Sequence, residues 1–143
     1  MNGFLGTTAL FPADLALVLS WVLGLTAVGA WALARRRRFP PHCRIMAVTA
    51  LLNWLPVLIV MIPVWVGLWG GIGRIAETRL FPPLMHGLIG LVSQSLMTYT
   101  VVRMNWLKRL PPRNTRWLMR ITLLLWLLTV IGGTAIYGLL YVL

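Results

Sequence analysis

Four long apolar stretches dominate the sequence, and their length constrains the fold more than any other feature. They cover about residues 12–34, 45–69, 83–104 and 121–143. Each approaches or exceeds the roughly 20 residues that an α-helix needs to cross about 30 Å of hydrocarbon. Strands are excluded, because the stretches do not alternate and open sheet edges cannot face lipid. We therefore predict an all-α, polytopic membrane protein: a four-transmembrane-helix bundle in which residues 1–143 form a single integral membrane domain.

The composition agrees with this prediction. Hydrophobic residues make up 59% of the chain and the mean hydropathy is +0.86, whereas soluble domains are about 45–50% apolar. Lipid is expected to cover the surface that a small soluble protein could not hide. The first stretch is expected to be an anchor rather than a cleaved signal peptide, because no cation precedes it and four arginines follow it.

The cations predict the direction of the helices. The chain has 13 Lys and Arg against 2 acidic residues, a formal charge of +11. Most cations lie in two loops, 35–44 and 105–120, which four spans place on one side of the membrane. The positive-inside rule makes that side the cytoplasm, so both termini are expected outside.

Anionic lipid is the polyanion expected to meet these cations. They lie in short clusters between apolar stretches, so nucleic-acid binding is not expected. Membrane headgroups offer the complementary charge. The residues expected to contact headgroups are Arg35, Arg36, Arg37, Arg38, Arg44, Lys108, Arg109, Arg113 and Arg116.

Small and polar residues mark the faces expected to pack, because apolar burial does not drive helix association in lipid. The amides of Asn53 and Gln94 must find partners in hydrocarbon. They are expected to bond to neighbouring helices, with a place in a ligand pocket as the alternative. Pro56 and Pro63 predict kinks in the second stretch. The third stretch carries the clearest polar face: His86, Gly90, Ser93, Gln94, Met97 and Thr98.

The two histidines are the candidate haem or metal ligands. His42 precedes the second stretch on the cytoplasmic side, and His86 lies near the outer start of the third. The predicted topology separates them by about the bilayer thickness, so one haem or metal ion cannot take both from one chain. His86 is predicted to bind haem or quinone together with Gln94 and Thr98, and His42 is a separate metal candidate. A packed or interfacial histidine is the plainer interpretation of each.

Aromatic side chains near the ends of the stretches are predicted to anchor the helices at the headgroup level rather than to cage a cofactor. The inner set is Trp31, Trp106 and Trp117, and the outer set is Trp65, Trp69, Tyr137 and Tyr141.

Residues for catalysis are scarce. Asp14 and Glu77 are the only acids, and the sequence has no metal-ligand motif, phosphate-binding glycine loop or nucleophile elbow. Asp14 is expected to interact with the dipole of the first helix. Cys43 is the single cysteine, so no intrachain disulfide can form, and we favour a small apolar role for it over a redox or metal role. No enzymatic activity is expected.

Three short patterns resemble a family of small bacterial membrane proteins. They are the segment Pro41-His42-Cys43-Arg44-Ile45-Met46, His86 near the start of the third stretch, and the ending from Arg116-Trp117 to Tyr137-Gly138-Leu139-Leu140-Tyr141. Over roughly residues 12–141 the chain resembles the domain-of-unknown-function family four-twenty (DUF420), the YozB/CtaM-like group. The resemblance implies four or five spans in the bacterial cytoplasmic (inner) membrane and, for some members, a role in assembling haem–copper cytochrome c oxidase.

The chain departs from that family in its histidines. The resemblance implies further histidines at the outer end of the second span and in the basic loop before the last span. Here those regions read Val64-Trp65-Val66-Gly67-Leu68-Trp69 and Arg113-Asn114-Thr115-Arg116. Each implied pair is reduced to one, so haem or copper binding would be weak or would need a partner.

These patterns together favour a non-enzymatic accessory protein. We expect an assembly factor or small subunit of a bacterial respiratory complex of the haem–copper oxidase type, with other membrane subunits as partners. The alternative is a haem- or quinone-binding redox protein that uses His86. A small transporter or channel is weaker, because no charged residue lies at mid-membrane depth.

Overall fold

The described part of the chain is helical and contains no strand. A computed structural model describes residues 3–69, 81–104 and 112–142. Its helices are α1 (Phe11–Arg35), α2 (Phe39–Leu52), α3 (Trp54–Pro56), α4 (Ile62–Trp69), α5 (Phe81–Val102) and α6 (Pro112–Tyr141), with a π-helical turn (Val57–Met61) between α3 and α4. The all-α prediction is therefore confirmed for these residues. Glu77, Trp106, Lys108 and Arg109 lie outside them.

Three of the helical stretches are long and apolar enough to cross a membrane. They are Phe11–Arg35, Phe39–Gly67, which we call the second span, and Asn114–Tyr141. Large apolar side chains such as Leu25, Leu51 and Leu124 point away from the bundle. An exposed apolar surface of this kind is expected of a protein surrounded by lipid.

Helix α5 does not reach the same apolarity, although it has 22 residues. Its polar face, which includes Ser93, Gln94 and Thr100, is turned into the bundle. These side chains lower the hydropathy of the helix but serve its packing. Three candidate spans are thus established among the described residues.

A tight turn joins α1 to α2. The N–H of Arg38 donates to the carbonyl of Leu33, and that of Arg37 to the carbonyl of Ala34, both at 3.0 Å. This is the pairing of a Schellman motif, which needs a left-handed residue directly after the helix cap. Arg37 occupies that position with φ 57°, where glycine is usual.

The second span is interrupted near its middle. Pro56 has no N–H to donate to the carbonyl of Leu52, and the chain passes through α3 and the π-helical turn before α4 resumes. The interruption lies where the sequence predicts a kink. Pro63 follows the π-helical turn and is a second residue in this helical stretch without an N–H to donate.

The helices form a ring in the order α1, α2, α5, α6, with α6 closing onto α1. Buried side chains fill its centre: Leu23, Ala27, Ala50, Met97, Trp126 and Val130. Helix α2 packs on both α1 and α5, whereas α4 makes few close backbone contacts with the other helices. The second span therefore packs tightly in its first half and diverges from the bundle in its second half.

Candidate functional site

The divergence of α4 leaves a cavity of about 580 Å³ in one half of the bundle. Its lining comes from the first half of α1 and of α5, and from the second half of the second span and of α6. This half contains Tyr137 and Tyr141, and we call it the tyrosine end. The opposite end carries residues 35–38 and Arg116, and we call it the arginine end. Small-molecule sites in proteins have volumes of about 300–1,000 Å³, so the cavity is large enough to hold a ligand.

His86 lines this cavity from α5. Its ring packs against the backbone of α6, because a Cβ added at Gly133 would lie 3.0 Å from His86 Cε1. Within the described residues neither ring nitrogen forms a hydrogen bond. A neutral imidazole carries one donor and one acceptor, so both remain free for a ligand.

Trp65 lines the cavity from α4. Its indole lies directly on α5, where a Cβ added at Gly87 would overlap Trp65 Nε1. This nitrogen is buried and has no acceptor within the part of the chain that the structure describes. The sequence predicts a headgroup anchor here, but Gly87 leaves room for the ring to turn into the bundle instead. A buried donor without a partner costs about 1–3 kcal/mol.

The amides of Asn53 and Gln94 join the second span to α5. Asn53 Nδ2 donates to Gln94 Oε1 at 2.7 Å, and Gln94 Nε2 donates to the carbonyl of Ala50 at 3.0 Å. Both side chains are buried. Asn53 also lines the cavity, so this residue both joins two helices and forms part of the cavity wall.

The structure does not gather His86, Gln94 and Thr98 around one cavity. Gln94 lies about 12 Å and Thr98 about 18 Å further along α5 than His86, by the helical rise. Neither lines the cavity. Gln94 is engaged with Asn53 and Ala50, and the Thr98 hydroxyl is buried without a partner among the described residues. Of the three, His86 alone faces the space where a ligand would bind.

His42 lies at the arginine end and is also buried. Its Nδ1 donates to the carbonyl of Ala30 at 2.8 Å and so fastens α2 to α1. This bond takes one of the two nitrogens that could bind a metal. Among the residues that the structure describes, no three His, Cys, Asp or Glu side chains lie close enough to hold a metal ion.

Asp14 is the centre of a hydrogen-bond network at the tyrosine end. It is fully buried, its Oδ2 accepts from the N–H of Leu5 at 2.8 Å, and its Oδ1 accepts from the hydroxyl of Tyr137. The hydroxyls of Thr7 and Tyr137 also bond at 2.6 Å. Gly3 is required here, because a Cβ at that position would overlap Asp14 Oδ2. Residues 3–10, which we call the N-terminal segment, are thereby fixed onto α1 and α6.

The described cations gather at the arginine end, away from the cavity. Exposed arginines follow α1, open α2 and begin α6. The guanidinium of Arg35 lies 5.3 Å from the ring of Trp31, and that of Arg103 lies 5.5 Å from the ring of Tyr99. Six of the cations predicted to contact headgroups are exposed at this end: Arg35, Arg36, Arg37, Arg38, Arg44 and Arg116. The side chain of Arg113 is not described.

Comparison of the chain with protein-family models, with curated proteins and with solved structures found no match. The resemblance drawn from the short sequence patterns therefore stays a prediction.

Proposed function

We propose that this protein binds a lipid-soluble small molecule in the cavity at the tyrosine end. The observation that carries the proposal is the cavity of about 580 Å³, which His86 lines with ring nitrogens that have no partner among the described residues. The rest of the lining is largely apolar, with side chains such as Leu17, Val60 and Ile136. Predominantly apolar walls with a few polar groups are typical of small-molecule sites. The role is non-enzymatic.

The proposed setting is a four-span bundle in the cytoplasmic membrane of a bacterium. Helix α5 is the fourth span, because its 22 residues extend about 33 Å and its polar face packs inside the ring. The arginine end faces the cytoplasm and its exposed side chains contact anionic headgroups. Both termini and the cavity then lie towards the outer side.

The test fills the cavity and asks whether a ligand is lost. Ala16 lines the cavity from α1, and Ala32 is exposed on the same helix near the arginine end. We expect organic extracts of the purified wild type and of Ala32→Phe to contain the same small molecule, identified by mass spectrometry. We expect Ala16→Phe to lose it, because the added ring occupies the cavity. Equal retention by both variants would contradict the proposal, as would a wild type that retains no small molecule.

A second candidate is the accessory role in a respiratory membrane complex of the haem–copper oxidase type. It is supported by an uncovered face of α1, where Val22, Thr26 and Gly29 are exposed. A Cβ added at Gly29 would meet no atom within 4 Å, so the helix of another membrane subunit has room to approach closely.

Affinity purification from native membranes tests this second role. Gly138 on α6 is also open, with nothing within 4 Å of an added Cβ, and supplies the matched control. We expect wild type and Gly138→Phe to recover the same partner subunits, and Gly29→Phe to lose them because the ring blocks close approach. Unchanged recovery by Gly29→Phe would exclude this face as the contact.

A further inference from the structure

We infer that Arg35 and Arg120 together bind the phosphate of one anionic phospholipid, whose acyl chains lie along the groove between α1 and α6. This site is at the arginine end, whereas the cavity is at the tyrosine end. It needs the membrane setting of the proposed function but not the cavity ligand. The register of the two helices, the charge at this end and the apolar surface of the groove support it.

A contact near the other end of the groove sets the register of α1 and α6, which run antiparallel. Trp21 Nε1 donates to Thr134 Oγ1 at 2.9 Å. Arg35 lies about four turns after Trp21, or about 21 Å along α1, and Arg120 lies the same distance before Thr134 along α6. The two arginines are therefore at one level, on nearly the same faces that make the contact. Packed helix axes are about 8–10 Å apart, so both side chains can reach a single phosphate.

Trp31 positions the guanidinium of Arg35. It lies one turn before Arg35 on α1, and its ring is 5.3 Å from the guanidinium carbon. Such a contact contributes about 0.5–1 kcal/mol at an exposed site. Because Trp31 is 42% exposed, the space beside it is open rather than filled by α6. The guanidinium, a planar fork of N–H donors that matches phosphate oxygens, is thus held over an open part of the groove.

No acidic side chain of this sequence can neutralise the arginine end. Asp14 lies at the tyrosine end and is engaged with Tyr137. Glu77, the only other acid, precedes Phe81, where α5 begins at the tyrosine end. The chain between Glu77 and Phe81 spans at most about 14 Å, whereas α5 is about 33 Å long. Two arginines at one level repel each other, so an anion from the surroundings is needed between them.

The groove is apolar and exposed on the membrane side of the two arginines. Leu25 and Val28 on α1, and Leu124 and Ile131 on α6, are between 39% and 67% exposed. This surface leads from the contact near the tyrosine end to the arginine pair. A phospholipid complements it, since its phosphate fits the arginines and its chains fit the apolar groove. A soluble phosphate would use the arginines alone.

The experiment measures lipid binding to the purified full-length protein by native mass spectrometry. Phosphatidylglycerol is compared with phosphatidylcholine that has the same acyl chains but no net charge. We expect the wild type to bind phosphatidylglycerol about tenfold more tightly. Arg35→Gln and Arg120→Gln should each weaken phosphatidylglycerol binding about tenfold, the loss of one charged hydrogen bond, and leave phosphatidylcholine unchanged.

Arg44→Gln is the matched control, because it removes the same charge from α2, which packs on α1 and α5. It should weaken phosphatidylglycerol binding by less than about twofold. The double variant Arg35→Gln/Arg120→Gln should lose little more than either single variant, because both side chains act on one phosphate. Circular dichroism checks folding, and if one of the two single variants does not fold, the other is compared with Arg44→Gln.

Four results would overturn the site. They are a wild type without a preference for phosphatidylglycerol, an equal loss in Arg44→Gln, losses in the double variant that simply multiply, and arginine-dependent binding of inorganic phosphate without a lipid preference. Ala16→Phe should bind phosphatidylglycerol as the wild type does, because it fills only the cavity. An organic extract without a cavity ligand, together with intact phosphatidylglycerol binding, would overturn the proposed cavity function and leave this site in place.

Discussion

Removing the amide of Gln94 should destabilise the bundle more than any other single polar change on α5. Gln94 accepts from Asn53 Nδ2 at 2.7 Å and donates to the Ala50 carbonyl at 3.0 Å. It is 1% exposed, so water cannot replace either bond. Gln94→Leu keeps a similar volume but leaves the Asn53 N–H and the Ala50 carbonyl without these partners.

The magnitude follows from two contributions. Interhelical hydrogen bonds in membrane proteins contribute on average about 0.6 kcal/mol, with a maximum near 1.7 kcal/mol. A buried donor or acceptor left unpaired costs about 1–3 kcal/mol. We therefore expect Gln94→Leu to lower the free energy of unfolding by about 2–3 kcal/mol. Asn53→Leu should cost less, about 1–2 kcal/mol, because the bond from Gln94 to Ala50 survives it.

A double-mutant cycle in mixed micelles isolates the pair. Unfolding is followed by circular dichroism as the fraction of denaturing detergent rises. The double variant should be more stable than the sum of the two single changes predicts, with a coupling free energy of about 1 kcal/mol. The reason is that removing both amides leaves neither of them buried without its partner. Ser93→Ala is the control, since the buried Ser93 hydroxyl has no partner in the described structure and its loss should cost almost nothing. A coupling of zero, or a Gln94→Leu variant as stable as Ser93→Ala, would refute the reasoning.

Three further predictions concern the ends of the bundle. Tyr137→Phe removes a hydroxyl bonded to the buried carboxylate of Asp14, so opening of the N-terminal segment should become easier by about 1.5–3 kcal/mol. Hydrogen exchange in this segment should rise in Tyr137→Phe but not in Tyr141→Phe. Equal exchange in the two variants would contradict the network. Arg37→Gly should stabilise the protein by about 0.5–1 kcal/mol in thermal unfolding, because glycine tolerates the left-handed turn, whereas Arg36→Gly should not. In intact cells an impermeant thiol reagent should label Thr8→Cys but not the native cysteine at the arginine end; the reverse pattern would invert the proposed orientation.

Local properties of the sequence decided the elements. Runs of about 20 apolar residues predict helices wherever they occur, and the described chain is helical over those runs. Pro56 interrupts its helix because proline lacks an N–H, which is a property of that residue alone. The gathering of arginines beside the turn between α1 and α2 is likewise visible in the sequence. The polar face of α5 was correctly expected to pack, since polar side chains in lipid need partners from other helices.

Tertiary structure decided which partners those are. Asp14 and Tyr137 are 123 residues apart, and Asn53 and Gln94 are 41 apart, so their pairing depends on how the helices slide and rotate against one another. Sequence spacing puts His86 and Gln94 on one face of α5 but cannot show that a cavity opens beside the first and a packed contact forms at the second.

The same dependence explains why the sequence alone does not identify Trp65 as a residue of the cavity wall. A tryptophan near the end of an apolar stretch usually anchors a helix at the headgroups. Here the missing side chain of Gly87, on a different helix, leaves space for the indole to lie inside the bundle. The divergence of α4 then opens the cavity beside it. Local composition thus determines the helices and their charged end, whereas the cavity arises only where the packed helices separate.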